Sequence, residues 1–362
     1  MPRLTCILPV PGPTDAMEPT LVSFLEHRPP DCEILAVFNR PYDDPYQLAG
    51  EVTFLQAPPR GNVLDCLNFA LEQVQSPYLF IGTAGIQVTA GWADLPLAHF
   101  QDPRVATIAP QLVSQAQPQR LLASGWGYDP RRGPVILNTS SGFANTGDDP
   151  TAIGKTPGMA PASAGPLLQA GFYRTMALEL LGAKFCDKVG PAWASVDLGL
   201  MLAAVGYDHI HEPNSVVLAD AAQFDRDLAA ASNPGYTRGY RAEQLYQRNC
   251  LFESWLDALA RHPLDCLLEW AGQCWRPAAW LQLAGRMRAS AQYQAGRLHR
   301  EKLRDTRLAC AALLRANRAV HMRIDPATLG ESSAGRPIGP SRGNAGQPTT
   351  AGSTESQLRR AA

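Results

Sequence analysis

The side chains that could do chemistry are few and scattered. Asp197 stands at the head of the apolar stretch Val196 to Val205. A carboxylate there could take a proton from a hydroxyl group, or it could cap the N–H groups of a helix N-terminus. Capping accounts for its place without a ligand and is the simpler reading. His209 and His211 are spaced to put both imidazoles on one face of a strand, but Glu212 points the other way and no third ligand stands near. A surface or edge-strand pair is the expected role. Asp43 and Asp44 lie between Pro41 and Pro45, which suits a turn. Arg131, Arg132 and Lys155 could meet a phosphate, although solvated loop charge explains them as well. The run Pro77 to Ile81 ends in Gly82-Thr83-Ala84-Gly85, a turn that offers no carboxylate.

The elements that must position these residues alternate. Leu4 to Val10, Glu33 to Phe38, Val52 to Leu55 and Tyr78 to Ile81 are short apolar runs of strand type. Between them Leu21, Val22, Phe24 and Leu25, then Val63, Leu64, Leu67, Ala70, Leu71 and Val74, recur at helical spacing. This βαβ rhythm predicts a mostly parallel sheet with helices on both faces, and ligands then sit at the carboxyl ends of the strands. The loops after Val10, Phe38 and Ile81 are where chemistry belongs.

Residues 125 to 164 turn to Gly, Pro, Ser, Thr and Asn, as a long functional or mobile loop does. Leu167 to Leu181 carries an aromatic and aliphatic pattern stopped by Gly182, a helix-end signal. Val196 to Val205 is a helix closed by Gly206, and Ser215 to Leu218 is a short strand. Beyond Tyr236 the spacing is helical, with Trp255, Trp270, Trp275 and Trp280, and residues 285 to 322 form a long basic helical segment. After Pro326 large apolar residues nearly vanish, as in a disordered tail.

The chain has 362 residues, 45% hydrophobic and 18% charged, enough for a substantial core. Its net charge of -1 hides an asymmetry. From Arg286 to Arg323 ten Lys/Arg face Glu301 and Asp305, giving +8, while residues 1 to 285 carry -10. Such a basic, Trp-bearing end would suit an anionic membrane or an acidic partner; no nucleic-acid motif accompanies it. The eight Cys are scattered without a CxxC pair, which favours reduced thiols in a cytoplasmic protein over disulfides or structural zinc. No signal peptide or membrane span is expected.

In order and spacing, these pieces resemble the GT-A fold of family-2 glycosyltransferases over roughly residues 3 to 220. Pro9-Val10 matches the end of the family's first strand, Asn39 and Asp43 follow its second, and Gly61 with Asn68 match the Gly and Asn around the next helix. Gly91-Trp92 matches the Gly-Trp that follows the metal motif. Ala170 to Arg174, Val196-Asp197-Leu198, Gly206-Tyr207 and Pro213 match the acceptor half. The resemblance implies a nucleotide-diphospho-sugar transferase domain over residues 1 to 225, followed here by a basic helical extension over 236 to 323 and a disordered tail over 324 to 362. It also implies a donor site that includes Pro9, Val10, Asp43, Gly61, Asn68, Thr83 and Gly85, with Asp197 as the remaining carboxylate for the catalytic base.

The departures from the family are chemical. The two metal-binding Asp positions hold Thr83 and Gly85, the base-recognising Asp aligns with Phe38, the catalytic base aligns with Ala194 or Ser195, and the late His falls near Ala219-Asp220. No metal cofactor is therefore expected. Sugar transfer without an Asp-x-Asp site would lean on cations such as Lys155, Arg131 and Arg132. The alternative is an inactive pseudo-glycosyltransferase that binds or scaffolds.

Overall fold

The computed structural model describes residues 2–59, 61–129, 133–137, 162–182, 184–232, 235–249, 262–292 and 297–310. They belong to one compact unit, Met1–Ala316. The proposed tail over 324 to 362 lies outside the described residues.

The βαβ rhythm is present where the apolar runs place it. Strands β1 (Leu4–Val10), β2 (Cys32–Phe38), β3 (Thr53–Gln56) and β4 (Tyr78–Gly82) pair in parallel in the order β3-β2-β1-β4, with helices α1 (Met17–Glu26) and α2 (Val63–Leu71) as crossovers. Every residue of β1 is buried, because helices cover both faces of a parallel sheet. Pro9 lies past the last rung to β4, at Ile7, so its missing N–H removes nothing from that ladder.

Beyond β4 the sheet turns mixed. It continues through β5 (Ile86–Val88), α3 (Asp94–His99), β6 (Val105–Ser114) and β7 (Leu121–Ala123). A separate antiparallel sheet is formed by β8 (Trp126–Asp129), β9 (Gly133–Ile136) and β10 (Ala162–Gly165), in the order β10-β8-β9. Next come β11 (Ala170–Arg174), α4 (Thr175–Leu180), α5 (Pro191–Val205) and β12 (Asp208–Ala219). The full order of the large sheet is β3-β2-β1-β4-β11-β6-β12-β5, with β7 on β6, and β11 runs antiparallel to both of its neighbours. This is the α/β architecture that the GT-A resemblance implies, but the sheet is mixed rather than mostly parallel, since β11, β5 and β7 all pair antiparallel.

Several expectations are corrected here. The 125 to 164 stretch is not irregular throughout, since it supplies β8, β9 and β10; residues 138–161 are outside the description. The pattern at Leu167 to Leu181 is a strand before it is a helix, because Ala170 to Arg174 is inserted between β4 and β6 and buried along its whole length. The strand expected at Ser215 to Leu218 begins at Asp208, so His209 and His211 belong to an interior strand between β6 and β5. The long basic helix divides, α9 ending at Ser290 and helix resuming over 297–310.

Helix α5 is the hub. It starts on Pro191, a residue whose fixed φ suits the first helical position, and stops at Gly206 in the left-handed conformation, as its sequence signals. From Trp193 to Val205 every residue is buried, because β10 and β12 cover one side while α7 (Tyr236–Asn249) covers another. Gly199 lets the helix touch the backbone of β10: a Cβ there would press into the Ala164 carbonyl oxygen, well inside contact distance. Beside it, His209 bridges sheet and helix, its Nδ1 2.6 Å from Thr107 Oγ1 and its Nε2 2.9 Å from the Gly199 carbonyl oxygen.

After β12 the chain is helical. Helix α6 (Ala221–Ser232) leads to α7, α8 (His262–Ala271) and α9 (Pro277–Ser290). Asp220 caps α6 through the Ala222 N–H at 2.8 Å. Helices α7 and α9 approach backbone to backbone, with Gly239 against Gln282 and Gly285 against Tyr236.

Two stability outcomes follow. Gly199→Ala is expected to lower the unfolding free energy by about 3 kcal/mol in a urea titration, because the opposing group is backbone and cannot swing aside. Burial holds His209 down at about 4 against its ordinary 6.5, the hydrogen bond to Gly199 pulling the other way. The unfolded chain therefore binds the proton that the folded chain refuses, and stability falls as pH drops from 6.5 to 4, by about 3 kcal/mol from this group. Above pH 6.5 the effect vanishes. His209→Gln should remove that slope, so the gap in unfolding free energy between parent and variant narrows on going from pH 7 to pH 4.

Candidate functional site

The carboxyl edge of the parallel half is held together by one amide. Asn39, the residue after β2, donates from Nδ2 to the Pro11 and Gly61 carbonyl oxygens, both at 2.8 Å. It thereby ties the loop after β1 and the turn before α2 to its own. Its Oδ1 is buried with no partner. In the same loop Tyr42 stacks on Phe38, centroids 4.4 Å apart and planes 6° from parallel, and packs on Phe54 at 5.1 Å; the Tyr42 hydroxyl is also buried and without a partner. Phe38 itself is a core side chain, so the family's base-recognising position contributes packing in this chain.

The other residues named for this edge fall into separate roles. Pro9 and Val10 are buried inside β1. Asp44 takes a left-handed conformation, φ 46°, and accepts from the Leu48 and Ala49 N–H groups at 2.9 and 3.0 Å, so it serves the turn; Asp43 is exposed. Gly61 packs over Asp65, and α2 is opened by Asn62, which forms a capping box with Asp65. Asn68 lies within α2, and its amide clamps the Phe185 backbone, donating to the carbonyl at 3.0 Å and accepting from the N–H at 2.7 Å.

The turn after β4 is fastened down. The Thr83 N–H donates to Gln169 O at 3.0 Å, and the Gly85 N–H to Ala16 O and Thr20 Oγ1, each at 3.0 Å. Gly85 has φ 97° and open space where a side chain would project. A divalent cation that bridges phosphates wants oxygen ligands with carboxylates among them. One hydroxyl and backbone atoms do not fit that group.

Asp197 is not a cap. It is the seventh residue of α5, whose N-cap is Gly190, and it is fully buried. Arg248 of α7 grips it, Nη2 to Oδ2 at 3.0 Å and Nε to Oδ1 at 3.1 Å, while Asn249 Nδ2 donates to Oδ1 at 2.6 Å. Both carboxylate oxygens are engaged. Ala194 and Ser195, the two residues that align with the family's catalytic base, are buried within the same helix, the Ser195 Oγ without a partner. Around the pair, burial and then the Arg248 charge hold His299 down at about 4, and burial with the Asp197 charge raises the Cys186 thiol.

The two histidines are interior, contrary to the surface pair expected, because β12 is a covered strand: His209 is fully buried and His211 is buried. Glu212 instead pairs with His99 at 2.7 Å. Arg131, Arg132 and Lys155 lie outside the described residues.

Two further features escaped sequence reasoning. A cavity of about 590 Å³ opens between α1 and β5, and Asp15, Glu18, Glu26 and His27 line it. Its carboxylates disfavour a bare diphosphate. In the helical part, Glu243, His262 and Cys266 bring ligand-type atoms within 4.8 Å of one another. His262 Nε2 lies 2.8 Å from Glu243 Oε2, and Arg286 Nη1 stands 3.3 Å from Cys266 Sγ and 3.7 Å from Glu243 Oε2. A guanidinium thus already supplies the positive charge there. Only the i, i+4 spacing of His262 and Cys266 could have flagged the cluster in advance.

No protein-family model and no curated protein matches the sequence. Among solved structures, the mannosyltransferase PcManGT from Pyrobaculum calidifontis, in complex with GDP-Man and Mn²⁺, is similar at 18% identity over 86% of this chain and 86% of its own, with a TM-score of 0.40. GalNAc-T7, with UDP, GalNAc and Mn²⁺, is similar at 12% identity over 72% of this chain and 54% of its own, with a TM-score of 0.45. Substrate and metal at that distance stay with those proteins.

The Asp197–Arg248 pair sets its own test. Asp197→Asn or Arg248→Met alone leaves a buried charge without its counter-ion and should cost about 3 kcal/mol in urea unfolding. The double variant should recover about 2 kcal/mol of the summed loss, the mark of direct coupling.

Proposed function

We propose that the carboxyl edge of the parallel half holds a nucleoside-diphosphate sugar, and that the chain transfers the sugar to a glycan or glycoconjugate acceptor as a family-2-like glycosyltransferase without an Asp-x-Asp metal site. The observation that carries this reading is Asn39, which knits the edge loops together and keeps a buried acceptor atom with no donor. Opening of this loop would bring Oδ1 within reach of a nucleobase N–H, and such an unmade hydrogen bond is costly enough to favour a ligand that completes it. The Phe38–Tyr42 stack borders the loop, the Tyr42 hydroxyl offers a second polar contact, and exposed Asp43 suits a ribose hydroxyl. Pro9, Val10 and Gly61 act by shaping the edge, and Thr83 and Gly85 by leaving room beside it. Asn68 holds the acceptor half in place.

A second reading has an observation of its own. Asp197 is buried against Arg248, and the family's base position falls on Ala194 or Ser195, so neither position presents a carboxylate to a hydroxyl group. On that reading the chain binds a donor or a glycan and scaffolds without turnover.

Thermal unfolding with UDP-, GDP- and dTDP-sugars tests both. One donor is expected to raise the midpoint by several degrees, since ligand at a hundred times its Kd stabilises by about 2.7 kcal/mol. The shift should persist when EDTA replaces Mn²⁺, and Tyr42→Phe should lower it by about 1 kcal/mol. No shift with any donor would overturn the donor site. A shift without release of nucleotide in the presence of acceptors would select the scaffold.

A further inference from the structure

Helix α9 is built inside out. Its buried positions are Gly285, Arg286 and Ala289, because α7 comes so close that a Cβ on Gly285 would press into the Tyr236 backbone. Its outward positions, three and four residues apart, are Trp280, Leu281, Ala284 and Met287. Large apolar side chains are thus spent where they contribute nothing to the core: Leu281 is 55% exposed and Met287 66%.

Helix α8 extends the same surface. Leu264, Leu267 and Leu268 are exposed at i, i+3 and i+4. The Trp270 and Trp280 rings meet edge to face at 4.7 Å and join the two helices, and Trp275, 70% exposed, stands in the turn between them. Several large side chains clustered in this way exceed the scattered exposure usual on a soluble surface. Cations accompany them. From His262 to Cys310 there are eight Lys/Arg against Asp265, Glu269, Glu301 and Asp305, and while Arg286 and Arg300 are buried, Arg276 and Arg288 are exposed on or beside α9. Among the described residues no helix is long and apolar enough to cross a membrane.

We propose that the outward face of α8 and α9 docks in the plane of an anionic membrane surface, Trp275, Trp280, Leu281 and Met287 entering the headgroup boundary and the flanking arginines meeting lipid phosphates. Apolar anchors, tryptophans at the polar boundary and a cationic surround are what such a surface selects. The inference is independent of sugar transfer, so its failure leaves the donor site untouched.

Vesicle sedimentation of the full chain tests it. The protein should pellet with phosphatidylcholine vesicles containing about 30% phosphatidylglycerol, and far less with phosphatidylcholine alone. Leu281→Glu with Met287→Glu should weaken the pelleting about tenfold, with an unchanged thermal midpoint because both side chains are exposed. Trp275 fluorescence should shift to the blue on binding. Absence of pelleting with anionic vesicles, or equal pelleting by the double variant, would overturn the proposal. So would a concentration-dependent dimer that the double variant disperses, since a second copy would then be what covers the face.

Discussion

The contact on which the rest depends is the ion pair between Asp197 in α5 and Arg248 in α7. Helix α5 is apolar nearly all round, and such a helix is stable only when every side is covered. Two β-strands supply one cover and the helical appendage supplies another. A carboxylate buried in the middle of that helix would be very costly alone, so a bidentate guanidinium from α7 makes the appendage part of the fold of the α/β domain. The acid in the middle of α5 is a fastening.

That outcome shapes the chemistry open to the chain. The carboxyl edge of the parallel half is ordered by the Asn39 amide, and the turn after β4, held by backbone hydrogen bonds at Thr83 and Gly85, offers no carboxylate to a cation. Any diphosphate held there must be met by hydrogen-bond donors and by cationic side chains. The acidic cavity between α1 and β5 does not serve that end.

The parallel half was legible in the sequence, since β1, β2, β3 and β4 each occupy an apolar run bounded by turn residues, and the Gly206 stop closes α5 as its position signals. What stayed hidden had non-local causes. Ala170 to Arg174 carries no alternation because it is covered on both faces, so nothing in its pattern separates strand from helix. His209 looked like a surface residue because its partners Thr107 and Gly199 reach it only through the sheet and α5. Asp197 looked like a cap because α5 starts at Pro191, earlier than its apolar run, and Arg248 lies far along the chain. Asn39 was visible as a polar turn residue, but its two acceptors at Pro11 and Gly61 were not. The exposed face of α9 ran against the usual expectation that aromatic stripes pack inward.

Native-state hydrogen exchange, followed residue by residue, addresses the fastening most directly. If the pair makes α5 and the appendage one cooperative unit, amides of Pro191–Val205 and Tyr236–Asn249 will open with a common free energy, and Asp197→Asn will lower both sets equally. Exchange in Tyr236–Asn249 that is much faster than in α5 and indifferent to Asp197→Asn would contradict it.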